Sequence, residues 1–294
     1  MKKGIAVLLA ALMLAGVWLV GCGERNPDEL WAAAKENIVT TKSARLHMTM
    51  DMAFDLQGET TSMTMKMEEA CTQDPLSAEV NMTMDMGGLG KMDTTMYLVQ
   101  EDGEYVNYMK MSGGILGDED VGWSRSTIDM TDLAQYNAMD SAKLYLDVLN
   151  TFQPAGKEAI GSYNTIRYDG KVTGKDINKM LDTLGDNVST LLSTSSDTST
   201  MADLFDSLDG IPMSVWIDQK TALPVRYEMD LSGMVNQLMD KMIDALVSLS
   251  SETVDFQVSK ARVTVECSDY NAVAPITVPQ EALDSAQDEG ADAA

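Results

Sequence analysis

From Ala44 onward apolar and polar residues alternate. Leu46, Met48, Met50, Met52, Phe54 and Leu56 share one phase, and Arg45, His47, Thr49, Asp51, Ala53 and Asp55 share the other. Period two is the signature of a half-buried strand. It recurs in Met63, Met65 and Met67, again in Val80, Met82, Met84 and Met86, and more weakly in Met92 and Met96. Gly58, Asp74-Pro75 and Gly87-Gly88-Leu89-Gly90 interrupt the pattern where turns are needed, so these strands are expected as neighbours in an antiparallel meander. Glu101-Asp102-Gly103 closes a further hairpin whose second strand is Tyr105 to Lys110, and a Gly-rich loop leads on to Trp123.

Helical spacing flanks and follows this block. Asn26-Pro27-Asp28-Glu29 is a helix start, and Leu30, Trp31, Ala34 and Ile38 form a stripe along a helix from Pro27 to Thr40. Helices are also expected over Asp132–Phe152, Asp176–Leu192, Met201–Leu208 and Gly233–Leu249, with a Ser/Thr-rich linker at Ser193–Thr200. Strands are expected at Tyr163–Thr173, Pro212–Asp218, Leu223–Leu231 and Val254–Cys267. The apolar phase of the last slips between Val258 and Ala261, which predicts a bulge. The late strands need partners in the early sheet. The order therefore predicts an α+β fold: a single strongly curved antiparallel β-sheet, a half-barrel, with helices packed on its concave face.

The first residues place the chain. Lys2 and Lys3 precede the apolar run Ile5 to Val20, and Leu19-Val20-Gly21-Cys22 has the form of a lipobox, the site of cleavage and lipid attachment. An uncleaved anchor helix is the alternative, since the run approaches membrane-spanning length. Either puts the rest of the chain on the extracytoplasmic face of a cell membrane. The expected organisation is a signal peptide over 1–21, a short tether over 22–26 beginning at the lipid-bearing Cys22, one domain over 27–278, and an acidic disordered tail over 279–294.

Charge narrows the partners. Without residues 1–21 the chain keeps 19 basic residues against 46 acidic, a net charge of −27. Nucleic acid is excluded as a natural partner, because phosphates require Lys and Arg to neutralise them. Adsorption to anionic lipid is opposed as well, so a covalent lipid has to hold the protein at its membrane. Cys71 and Cys267 lie in an extracytoplasmic chain where disulfides persist. A bond between them would contribute about 5 kcal/mol in the chain-entropy model. Two buried free thiols are the alternative.

One hairpin carries a resemblance. Val215-Trp216-Ile217-Asp218-Gln219-Lys220-Thr221-Ala222-Leu223-Pro224-Val225-Arg226 resembles the W-I-D-x-x-T-x-x-P-x-[KR] hairpin of a family of uncharacterised bacterial lipoproteins of Gram-positive type, and Tyr105 to Lys110 followed by Gly122-Trp123 resembles that family's earlier strands. Those proteins are similar in layout to lipoprotein carriers of the Lol and LppX/LprG type. The resemblance implies a curved half-barrel, closed by helices, that holds acyl chains in a hydrophobic cavity.

Catalytic chemistry finds little support. His47 is the one histidine and lies on the polar phase of its strand, where a solvated role is expected. No nucleophile elbow, zinc-binding His pair or phosphate loop occurs. Asp118-Glu119-Asp120 lacks the spaced ligands of a calcium loop. The unusual residue is methionine, 24 in all, many at i, i+2 spacing.

Methionine here has three readings: ordinary core, the deformable lining of a cavity for chains of varied shape, or thioether ligands for Cu(I). The side-chain spacing of about 6.6 Å along a strand opposes copper unless neighbouring strands help. The expectation is non-catalytic binding or carriage of a lipid or lipidated molecule, with no cofactor. The expected lining is Met48, Met50, Met52, Met63, Met65, Met67, Met82, Met84, Met86 and Met96, with Leu238 and Met242 from the late helix. A Cu(I)-binding envelope lipoprotein and a surface interaction module without a ligand are the alternatives.

Overall fold

The computed structural model describes residues 25–114, 120–128, 146, 151–178, 209–240 and 256–288. Helix α1, Pro27–Thr40, starts as its sequence requires: the Asn26 side chain accepts from the Asp28 amide at 3.0 Å, Pro27 occupies the first turn, and two acids face the positive helix end. Leu30, Ala34 and Ile38 are fully buried. Each large apolar side chain on that stripe contributes about 1.5–3 kcal/mol.

The strands β1 (Ser43–Leu56), β2 (Glu59–Gln73), β3 (Leu76–Asp85), β4 (Lys91–Glu101), β5 (Glu104–Gly113) and β6 (Asp120–Ile128) form the expected meander. A second meander contains β7 (Gln153–Ile160), β8 (Tyr163–Val172), β9 (Ile211–Asp218), β10 (Pro224–Asp230) and β11 (Phe256–Ser268). The two join where β11 pairs antiparallel with β1, so the sheet runs β6-β5-β4-β3-β2-β1-β11-β10-β9-β8-β7. It is open, with β7 at one edge. At the other edge, the two-residue strand β12 (Gln287–Asp288) adds in parallel to β6. The late strands thus find partners in the early sheet, as the pattern requires.

The bulge falls where the apolar phase slips. Phe54 pairs with Val258 and Ala53 with Lys260, leaving Ser259 as the extra residue. The expected helix at 233–249 begins here: residues 232–240 are helical, and the remainder lies outside the described residues. The expected helices over 132–152 and 201–208 also lie outside, apart from the buried Leu146 and residues 151–152, which are not helical and include the buried Phe152. The 176–192 helix is described only over 174–178, where Thr173 and Asp176 cap one another reciprocally.

One core fills one end of the sheet. It gathers Leu30, Ala34 and Ile38 of α1 with Ala44, Cys71, Ala78 and Leu98 of the first meander and Ile166, Tyr168, Val215, Ile217, Tyr227 and Cys267 of the second. Trp31 lies 4.8 Å from Tyr168 and 6.0 Å from Phe152, ring centre to ring centre. A Cβ on Gly170 would strike the Phe152 ring, so that strand position has to be glycine.

The expected disordered tail is corrected over its first ten residues. Helix α2, Gln280–Ser285, packs a fully buried Ala282 into a second cluster with Tyr97, Val106, Tyr108 and Trp123, and Ile276 and Val278 pack against it. Composition concealed this. The segment is acidic, but a single small residue is enough to seat one helical turn on an aromatic surface.

Candidate functional site

Strand register assembles what the sequence presented as separate patterns. Met213, Met229, Val263, Met50, Met65, Met84 and Met92 are successive cross-strand partners from β9 through β10, β11, β1, β2 and β3 to β4. The neighbouring row is Val215, Tyr227, Val265, Met48, Met67, Met82, Thr94 and Met111. Met52 pairs with Met63, and Met96 with Met109. Because partners in register share a face, these residues form one methionine-rich surface spanning most of the sheet.

Met48, Met50, Met52, Met63, Met65, Met67, Met82, Met84, Met86 and Met96 are all half-buried, whereas Leu30, Ile38 and Leu98 are fully buried. Among the described methionines Met213 alone reaches full burial. Leu238 lies half-buried on the 232–240 helix; Met242 and Cys22 lie outside the described residues. Sequence reasoning missed Met109, Met111, Met213 and Met229. Strand β5 concealed the first two because Val106 and Tyr108, on its other phase, are buried too.

Polar groups interrupt this surface, Glu69, Thr94 and Asn107 among them. Glu69 stands between Leu46 on β1 and Val80 on β3, in register with Cys267, Met96 and Met109. Burial raises its carboxyl to about 7. Thr94 Oγ1 and Asn107 Oδ1 are buried without a hydrogen-bond partner. Glu69 was visible in the sequence as the residue after Met63, Met65 and Met67 on the same phase.

The expected Cys71–Cys267 disulfide is not formed: both residues are free and buried. Cys71 is on β2 and Cys267 on β11, with β1 between them. Two strand spacings, about 9.6 Å, exceed the roughly 7 Å over which Cα atoms can be bridged. Burial pushes both thiols up to about 12, so neither is a ready nucleophile.

His47 is on the opposite face, with Nδ1 3.4 Å from Glu68 Oε1 at an exposed position. Among the described residues no group of His, Cys, Asp and Glu is arranged to hold a metal. Thioethers are a separate matter. Met48 with Met67, Met50 with Met65 and Met65 with Met84 stand directly opposite one another, with Cβ atoms about 4.5–5.5 Å apart. The cross-strand help that spacing along one strand could not supply is therefore present.

A cavity of about 260 Å³ beside the 232–240 helix has a mixed lining, with Asp209, Asp230, Ser232 and Gln237 beside Pro212 and Met234, and includes none of the expected methionines.

The hairpin that carried the resemblance builds the fold. Buried Asp218 accepts from the Thr221 amide at 2.9 Å and from its hydroxyl at 2.8 Å, and Ala222 adopts a positive φ of 51°. Asn37 of α1 donates to the Thr221 carbonyl at 2.8 Å, and Tyr270 donates to that of Pro224 at 2.7 Å. Trp216 donates to Glu158 at 2.9 Å and lies under the Arg226 guanidinium. Every recognisable residue of the motif thus fixes the turn or docks a neighbour.

The layout is an open antiparallel sheet with one broad apolar face and a helix packed at its end. Residues 26–115 match a family of unknown function, DUF6612; the match takes in α1 through β5 and stops short of the Val215-to-Arg226 hairpin. Among solved structures the chain is similar to LprF from Mycobacterium bovis, at 13% identity over 88% of this chain and 99% of that one, with a TM-score of 0.43. It is also similar to the Mycobacterium tuberculosis lipoprotein LppX, at 14% identity over 86% and 100%, with a TM-score of 0.38. A putative outer membrane lipoprotein-sorting protein domain from Vibrio parahaemolyticus is similar at 10% identity over 83% and 92%, with a TM-score of 0.22. The expectation of an uncharacterised family is met over residues 26–115, and the likeness to lipoproteins is with solved structures alone. At such identities and scores it is a likeness of layout. No curated protein matches the chain.

Proposed function

We propose that this chain is a lipid-anchored extracytoplasmic protein whose methionine face binds a hydrophobic ligand, a lipid or a lipidated molecule, without catalysis. The observation that carries this is the continuity of half-buried methionine across neighbouring strands. Unbranched, polarizable side chains re-pack around chains of different length where branched ones hold a single shape. In this reading the sheet curves as a half-barrel, helices lie over its concave face, and Leu238 and Met242 complete the lining. Cys22 supplies the anchor. Among the described residues no helix is long and apolar enough to cross a membrane.

Burial provides the mechanism. At about 0.8 kcal/mol per CH₂, an acyl chain entering the site recovers what it loses on leaving the bilayer, so transfer is nearly neutral in free energy. Purifying the protein from its native host and extracting it for lipid and metal tests the proposal. Co-purifying lipid supports it; a protein that carries none and takes none up from vesicles overturns it.

A second reading has its own observation. The opposed pairs Met48 with Met67 and Met50 with Met65 bring soft ligands together, which suits Cu(I). Metal analysis of the same preparation decides between them.

A further inference from the structure

Glu69 is an acid set into an apolar surface. From β1 it faces Ala44, Leu46 and Met48, and from β3 Ala78, Val80 and Met82. Helix α1 turns Leu30, Ala34 and Ile38 into the adjoining core. Among the described residues the titratable groups around it are Cys71 on its own strand and Cys267 on β11, with Tyr270 beyond them, and burial holds all three in their neutral forms. Among the described residues no donor reaches the Glu69 carboxyl.

Register also places every basic residue of β1–β6 and β8–β11 on the other face: Lys66 beside Met65 and Met67, Lys110 beside Met109, Arg226 beside Tyr227 and Arg262 beside Val263 are representative. Along these ten strands a phosphate or carboxylate on this surface meets no basic side chain; the described exception in the sheet is Lys157 on the edge strand β7, in register with Ile166 and far from Glu69 in strand order, and the chain carries a net charge of −25. What the surface offers beside Glu69, the one acid in these rows, is the Thr94 hydroxyl and the Asn107 amide oxygen, each with acceptor capacity.

We propose that Glu69 receives the head group of the ligand, and that this head group is an ammonium carried on an aliphatic chain lying along the methionine rows. This rests on the reading of the methionine face as a hydrophobic-ligand site and names the class of molecule it selects. An ionised carboxyl in apolar surroundings lacks a partner, and an ammonium supplies both the charge and the hydrogen bonds. An anionic amphiphile of the same length is repelled. Because binding takes the ionised carboxyl, affinity for an alkylamine rises about tenfold per pH unit up to about pH 7 and levels above it. The amine itself, with a pKa of about 10, stays charged throughout.

The test uses the processed chain from residue 22, carrying Cys22→Ser so that no attached lipid competes. Dodecylamine, dodecanol and dodecanoate, each below its micelle concentration, are titrated calorimetrically into it and into Glu69→Gln at pH 6 and pH 8. The expected result has dodecanol bound alike by both proteins at both pH values. Dodecylamine binds wild type at least tenfold more tightly than dodecanol at pH 8, loses about tenfold at pH 6, and has no advantage in Glu69→Gln. If dodecanol binds but the amine has no advantage, or keeps it in Glu69→Gln, the head-group assignment is overturned and the hydrophobic face stands. If none of the three binds, the face reading itself falls and the assignment with it.

Discussion

Asn236 holds both backbone polar groups of Val258: its Nδ2 donates to the Val258 carbonyl at 2.8 Å and its Oδ1 accepts from the Val258 amide at 2.7 Å. The pairing sits immediately before the bulge at Ser259. There β11 needs substitutes for ladder bonds, and the Ala261 amide finds one in Ser232 Oγ at 2.8 Å. One residue of the 232–240 helix therefore completes a strand. Asn236→Ala strands a donor and an acceptor together and is expected to cost about 1–3 kcal/mol, read as a lower midpoint in urea unfolding.

Glu69 makes stability depend on pH. Its folded value of about 7 lies above the ordinary 4.5, so between those values the folded chain binds the more protons. Stability falls as pH rises through this window, and the loss is complete above it. Glu69→Gln removes the loss. The variant should match wild type near pH 4.5 and exceed it by roughly 1–3 kcal/mol at pH 8.5, measured by denaturant unfolding at both values. A variant no more stable than wild type at pH 8.5 would show that the carboxyl is solvated.

Replacing Met48, Met50, Met65 and Met84 together by leucine conserves volume, and each change should cost under about 1.5 kcal/mol. Lipid uptake survives in the quadruple variant if the face works by burial. Cu(I) binding, followed by competition with a chelator, would not, because leucine has no sulfur.

Asp218 gives the hairpin motif a measurable role. Asp218→Ala removes both acceptor contacts to Thr221 and loosens the loop on which Asn37 of α1 docks. A loss of about 2–3 kcal/mol in thermal or urea unfolding is expected, with ligand binding unchanged once the protein is folded.

Thiol reagents test the cysteine geometry. Cys71 and Cys267 should resist alkylation in the native protein and react together after denaturation without a reducing agent.

Much of this was legible in advance. The limits of α1 follow from Asn26, Pro27 and the Leu30-Ala34-Ile38 stripe, and β1 to β3 follow from strict alternation, because one face is apolar and the other charged. The bulge in β11 showed as a slipped phase. Strand β7 did not show: it is an edge strand, exposed along nearly its whole length and broken by Pro154 and Gly156, so burial imposes no period on it. Glu69 was readable as a residue but not as a site. Only the register that sets Leu46 on one side and Val80 on the other reveals its surroundings, and register between distant segments is a tertiary property.

The seam between β1 and β11 ties the first strand of the chain to the last long one. A polypeptide emerging from its amino end forms the β1–β6 meander early, yet β1 keeps one edge vacant until more than two hundred further residues have emerged. For that interval the methionine rows are cut in half and an unpaired strand is open to neighbouring chains. Completion of the sheet thereby waits for β11, and a chain interrupted before Phe256 would be left with an adhesive edge.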